Sequence, residues 1–196
     1  MNKSNIIEFE IGFEMASSSQ EQAAFAKSIG RALGKNGDFS LALEWNKRSY
    51  DLVPNKRLAK KISDIASLVG DKKEVIKANE NVFHHTAQEE YDDRIKNKQS
   101  KRAVFIALES KKMGDYKKAA EWFERSYDLC PNVVTAISIA DMYYSLGSDE
   151  NEKKWLFMAQ NCASLDQFGP KQKGATGEVD KSSLEAYIGK RLNAFE

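Results

Sequence analysis

Apolar residues recur at helical steps in the early part of the chain: Phe25, Ile29 and Leu33 four apart, then Leu41, Ala42, Trp45 and Leu52. Gly37 separates the two runs, and Pro54 follows the second. Glycine tolerates the positive φ that a tight interhelical turn demands, and proline cannot continue a helix. The pattern therefore predicts helix, turn, helix, stop. The unit recurs, because Glu44 to Asn55 (EWNKRSYDLVPN) returns 77 residues later as Glu121 to Asn132 (EWFERSYDLCPN), with nine of twelve positions identical. Gly37-Asp38-Phe39 is matched by Gly114-Asp115-Tyr116, and Gly70-Asp71 and Gly147-Ser148 complete a series with spacings of 33, 44 and 33. A hairpin this short cannot bury its own apolar stripe, and stacked neighbours supply the missing surface. The chain reads as four hairpins, or equally as a pair duplicated at 77.

The eleven residues added between the second and third hairpins fall in Thr86 to Arg102, a charged stretch without Gly or Pro. Thr86 with Glu89 has the spacing of a capping box. Acids (Glu89, Glu90, Asp92, Asp93) precede bases (Lys96, Lys98, Lys101, Arg102), and Glu90–Arg94 and Asp92–Lys96 are four-residue pairs. A helix opening at Thr86 and running to about Met113 is expected. At the N-terminus, Ile7, Phe9, Ile11, Phe13 and Met15 alternate with Glu8, Glu10, Gly12 and Glu14. That is the period of a strand, but no second strand signal exists to pair with it, and a helix with Ile7, Ile11 and Met15 on one side fits equally. Either way the segment invites self-association, and a homodimer through residues 6–15 is one expected partner mode. Gln167 to Lys181 reads as a Gly- and Lys-rich connector. Ser182 and Glu185 then open a last helix whose Leu184, Ile188 and Leu192 form one stripe, with Tyr187 and Phe195 beside it, suited to covering the open end of the stack.

Gly30, Gly37-Asp38-Phe39, Ala42, Ser49 and Pro54 in the first unit, and Ala107, Gly114-Asp115-Tyr116, Ala119, Ser126 and Pro131 in the third, resemble the tetratricopeptide repeat. Small residues at such places let neighbouring helices approach. The second unit has Ser63, Val75 and Val82 there and no closing proline. The fourth keeps Ala140 and Ala159 but has Glu152 where Ala42 and Ala119 stand, with Ser164 near the proline position. The resemblance covers roughly residues 23–165. It implies an all-α, right-handed solenoid of four hairpins with a C-terminal capping helix. The domains would then be an N-terminal segment at 1–22, repeats at 23–165, a connector at 166–181 and a cap at 182–196. It also implies a peptide-binding concave groove lined by the first helix of each hairpin.

Composition narrows the function classes. Thirty Lys and Arg against 29 Asp and Glu leave a net charge of +1, which gives no global field for a nucleic acid or an acidic membrane. The longest apolar run, Ala103 to Leu108, is six residues where a membrane helix needs about twenty, and Glu8, Glu10 and Glu14 break any signal-peptide core. A soluble, cytoplasmic protein is expected. Cys130 and Cys162 are too few for a disulfide framework or a cysteine-built zinc site, and read as packing thiols. His84 and His85 are adjacent, so on a helix they point about 100° apart and do not share a metal. The acids from Glu89 to Asp93 suit a helix start better than paired acid/base catalysis. Gly169 to Thr176 has the glycine spacing of a phosphate loop, but Ala175 stands where its lysine belongs. Trp45, Trp122 and Trp155 hold equivalent places on three second helices and read as core. No catalytic residue, cofactor or metal is expected, and an enzyme or small-molecule receptor finds no constellation to support it.

The first helices carry the candidate binding groove. Lys27, Arg31 and Lys35 are four apart, and Arg57, Lys60 and Lys61 follow in the second unit, so the N-terminal half offers a basic wall. Matching positions in the C-terminal half are Val104, Leu108, Ile137, Asp141 and Tyr144, largely apolar. The implied function is a protein- or peptide-binding adaptor whose partner is acidic or carboxylate-terminated and carries an apolar stretch. Peptide-binding repeats of this family use Lys and Arg with Asn to hold a terminal carboxylate, but no Asn stands at the matching places here. Ala136 to Ala163, with Trp155 to Gln160 within it, resembles the end of the tetratricopeptide chaperones of bacterial type III secretion. That resemblance implies, as an alternative, a chaperone that holds an exported protein.

Overall fold

The turn glycines set the architecture. In a computed structural model that describes residues 3–87, 92–164 and 181–195, Gly37, Gly70, Gly114 and Gly147 have φ of 86°, 76°, 77° and 66°. Each therefore takes the left-handed conformation that side-chain-bearing residues avoid, and each joins two helices. The helices are α1 (Lys3–Met15), α2 (Ser19–Lys35), α3 (Phe39–Leu52), α4 (Lys56–Val69), α5 (Lys72–Ala87), α6 (Asp93–Lys112), α7 (Tyr116–Leu129), α8 (Val133–Ser145), α9 (Asp149–Ser164) and α10 (Lys181–Leu192). A short 3-10 turn, Asn193–Phe195, follows α10. The described residues contain no strand.

The chain divides into two compact units, Met1–Glu89 and Glu90–Glu196. In the first, α2 pairs with α3 and α4 with α5, α3 joins the two hairpins, and α1 packs on α2. In the second, α6 pairs with α7 and α8 with α9, α7 joins them, and α10 packs on α9. Side-chain caps start the helices in both units. Asn55 Oδ1 accepts from the Leu58 amide at 3.0 Å and Asn132 Oδ1 from the Thr135 amide at 2.9 Å. Ser18 Oγ caps α2 by accepting from the Glu21 amide at 3.2 Å, and the Glu21 carboxylate accepts from the Ser17 amide and hydroxyl, each at 3.0 Å.

Close packing accounts for the small residues. A Cβ on Gly30 would stand 2.5 Å from Asn46 Nδ2, so α2 and α3 touch there with no room for a side chain. Ala42, Ala107, Ala119, Ala140 and Ala159 are fully buried. Trp122 and Trp155 are core, and half-buried Trp45 meets Phe13 edge-on with ring centroids 5.3 Å apart.

The N-terminal segment is a helix. Phe13 is buried, and Ile6 and Phe9 pack against the same cluster as Ile29, Leu33 and Ala42, which leaves Ile7, Ile11 and Met15 on the outer side. The helix expected to open at Thr86 does not begin there. Thr86 lies in the last turn of α5, buried, and its Oγ1 donates to the Val82 carbonyl at 2.7 Å, so it cannot cap a new helix. Asp92 supplies the cap, accepting from the Ile95 amide at 2.7 Å, and α6 runs to Lys112. Among the described residues the addition shows in α6, which at 20 residues is longer than the first helices α2, α4 and α8 with 17, 14 and 13. Lys96 pairs with Asp93 at 3.5 Å in place of the expected Asp92. Glu89 and Glu90, the phosphate-loop-like stretch from Gly169 to Thr176, and the connector from 166 to 180 lie outside the described residues.

Candidate binding faces on the first helices

In the first unit, α2 buries Ala26, Ile29, Ala32 and Leu33, which leaves Lys27, Arg31 and Lys35 exposed along its other side. Helix α4 buries Leu58, Ala59 and Ile62, exposes Arg57 and Lys60, and holds Lys61 half-buried. The structure brings Lys27, Arg31 and Lys61 together. Burial, then the charge of Arg31, then that of Lys27 lower the Lys61 ammonium pKa below its ordinary value. Among the described residues none of the six cations forms an ion pair. The face is a concentration of positive charge in which Asp64, the counterpart of Asp141, is the acid on α4.

In the second unit the corresponding face is apolar. Val104 and Ile137 are half-buried, Leu108 is 43% exposed and Tyr144 69% exposed. Phe105 and Val134, which the sequence reading passed over, add to the face at 42% and 55% exposure. The 77-residue offset would have found Val134, since it maps Arg57 onto that position.

Asp141, the one acid of the predicted set, is already engaged. Tyr187 Oη donates to Asp141 Oδ1 at 3.1 Å, and Arg191 Nη1 donates to the same oxygen. Arg191 also reaches Glu152, with Nη2 and Nε 2.5 and 3.1 Å from Oε1. Lys111, Asp141, Met142, Tyr144, Ser145, Tyr187 and Arg191 line an open cleft of about 460 Å³. Tyr187 and Arg191 come from the stripe side of a helix read only as a cap. Their signal was Glu152, an acid where two other hairpins have a buried alanine.

The remaining chemistry-bearing residues sit in packing positions. His85 Nε2 meets Tyr50 Oη at 2.9 Å, while His84 is exposed and its ring lies edge-on to Phe83. Cys162 is buried with Sγ 3.0 Å from Tyr127 Oη. Burial first, and Cys162 second, raise the Tyr127 phenol pKa. Among the described residues no three His, Cys, Asp or Glu side chains cluster as metal ligands would, and no helix is long and apolar enough to cross a membrane.

No known family model matches the chain, and no curated protein matches it. Among solved structures, the chain is similar to MamA at 15% identity, over 82% of this chain and 87% of that one, with a TM-score of 0.45. It is similar to the anaphase-promoting-complex hetero-tetramer Cut9-Hcn1 at 15% identity, over 85% of this chain and 29% of that one, with a TM-score of 0.46. It is similar to a Podosopora anserina putative kinesin light chain with nearly identical TPR-like repeats at 13% identity, over 84% and 86%, with a TM-score of 0.46. Four glycine-turned hairpins with alanine-sized helix contacts and a helix packed on the last of them give the chain an all-α, tetratricopeptide-like fold.

Proposed function

We propose that the chain is a protein-binding scaffold whose two hairpin pairs read different features of a partner: an acidic segment in the first unit, an apolar segment in the second. The observation that carries this is the convergence of Lys27, Arg31 and Lys61, none of which forms an ion pair. Clustered cations repel, so leaving them unpaired costs stability, and an acidic ligand would remove that cost. Exposed Phe105, Leu108 and Val134 support the apolar half, because exposed aliphatic and aromatic groups gain from being covered. On this reading the charged face governs the rate of encounter and the apolar face the residence time.

The test is capture from an extract of the native cell with wild-type, Lys27→Glu/Arg31→Glu and Leu108→Asp chains, followed by mass spectrometry and titration of whatever wild type retains. The double reversal should weaken binding by about tenfold or more at low salt and less at high salt, because screening already removes part of the attraction. Leu108→Asp should weaken it at any salt. Binding that survives both changes and is lost on substitution of exposed second-helix residues would move the interface to the other side of the hairpins. If the retained proteins are exported ones, the chaperone reading becomes the specific form of this function.

A further inference from the structure

The fourth residue of each second helix is buried: Ala42 in α3, Val75 in α5, Ala119 in α7 and Glu152 in α9. Only the last is charged, and it is 3% exposed. A carboxylate withdrawn from water without a partner is strongly disfavoured, so Glu152 needs a cation. Arg191 of α10 is that cation. Its guanidinium bridges Glu152 and Asp141, donates to Tyr187 Oη at 2.7 Å, and stands 5.4 Å from the ring centroids of Tyr144 and Tyr187. Burial works against the charge on Arg191, but hydrogen bonds to Glu152 and then Asp141 outweigh it and carry its pKa upward.

The rest of the α10 contact is slight. Ile188 is its one buried residue among those described, with Leu184 and Leu192 half-buried. A helix of 12 residues is also too short to be stable away from its support. Were α10 only a lid, an apolar residue at position 152 would hold it as well, since replacing a buried ion pair by packed apolar groups is often neutral or stabilising. What the pair adds is selectivity. Two carboxylates set for one planar fork accept a guanidinium and discriminate against a lysine, whose point charge cannot span both with paired hydrogen bonds.

We propose that Asp141, Tyr144 and Glu152 form an arginine-reading site on the last hairpin, filled within the chain by α10 and open, when α10 lifts, to an arginine-bearing helix of a partner protein. The occupant has the chemistry α10 displays: an amphipathic helix with an aliphatic residue three positions before its arginine, as Ile188 stands to Arg191. This inference is independent of the acidic-partner reading, which concerns cations of the first unit. Opening of α10 is a local event, so it proceeds without unfolding α8 and α9.

The probe is a synthetic peptide of residues 181–195, used with the full-length chain. In hydrogen exchange of the wild type, α10 amides should exchange at least about tenfold faster than those in the middle of α8, and excess peptide should accelerate α10 further by competing for the site. A peptide carrying Arg191→Lys should not. A full-length Arg191→Ala chain, whose own occupant is weakened, should bind labelled wild-type peptide about tenfold or more tighter than the wild-type chain does. Exchange of α10 at the same rate as α8, or equal competition by the arginine and lysine peptides, overturns the proposal. Both readouts use the unaltered chain, so they decide it even if Arg191→Ala does not fold.

Discussion

Tyr50 bonds His85 in the first unit, and 77 residues on Tyr127 bonds Cys162 in the second, at 2.9 and 3.0 Å. Ser49 donates to the Ala23 carbonyl, and its counterpart Ser126 meets Ser100, the counterpart of Ala23. Asn55 and Asn132 cap matching helices. The two units therefore share several interior bonds at matching positions. Their first-helix faces do not match. The same offset carries Lys27 to Val104, Arg31 to Leu108, Arg57 to Val134 and Lys60 to Ile137, so four of the six cations of one unit become apolar residues of the other, while Lys35 maps to Lys112 and Lys61 to Ser138. Interior positions are tied to neighbours that would all have to change together, whereas an exposed position changes at little cost to folding. A change from cations to apolar groups at four places on one face is what two different ligand segments would require.

The largest effect tests the shared interior. Ile29 and Ile106 occupy matching positions and both are fully buried. Replacing either with alanine should cost about 2–5 kcal/mol, through lost burial and the cavity left behind. Denaturant unfolding of the two variants should place both costs within that range. A large cost at one and almost none at the other would mean that the two interiors are not equivalent and that the duplication is only one of sequence.

Legibility in the sequence followed the range of each interaction. Positive φ at Gly37 and its three counterparts is a local property, and the glycines announced it. The stripe of α10 was legible because helical period places Leu184, Ile188 and Leu192 on one side. The N-terminal alternation was ambiguous for a physical reason. A period-two run also contains two four-residue series, and here Phe9 and Phe13 face in while Ile7 and Ile11 face out. Thr86 misled because the same hydroxyl that caps a helix start can bond back to a carbonyl inside a helix end, and only the packing of α5 decides between them. Arg191 and Asp141, fifty positions apart, share no periodicity at all. The six basic residues were readable as a set, but the convergence of three of them depended on how α3, packed on both, places α2 and α4.

A smaller effect sharpens a difference between the interiors. Tyr143 donates to Glu124 at 2.8 Å, whereas the matching residues of the first unit are Ala66 and Lys47, the latter paired with Glu74. Burial, and then Glu124, push the Tyr143 phenol up to about 12 from its ordinary 10. Because the folded value is the higher one, the stabilisation is fully present below pH 10 and is lost as the pH climbs through about 12. Tyr143→Phe should cost about 1 kcal/mol at neutral pH and should flatten the stability loss across that alkaline window. Phenolate absorbance should lose a late-titrating component near pH 12 in the same variant. An unchanged alkaline profile would place the bond outside the stability of the second unit.

The smallest effect concerns the basic face itself, where Lys61 of the first unit stands against Ser138 of the second. Lys61 keeps its charge beside Arg31 and Lys27 in a half-buried place, and its pKa is lowered for those reasons. A lysine whose folded pKa is depressed opposes folding at every pH below that value, and the opposition fades as the pH rises from the folded value toward the ordinary 10.5. Lys61→Met keeps the aliphatic stem and removes the charge. It should raise stability at neutral pH by about a few tenths of a kcal/mol, more at low salt than at high, since partial exposure already screens the repulsion. The same substitution should weaken capture of an acidic partner, because the repulsion it relieves is the charge density such a partner would use. Thermal unfolding across a salt series measures the first change and titration with the captured partner the second. If Lys61→Met destabilised the chain, or left an acidic partner bound as tightly as before, the three cations would not be acting as one site.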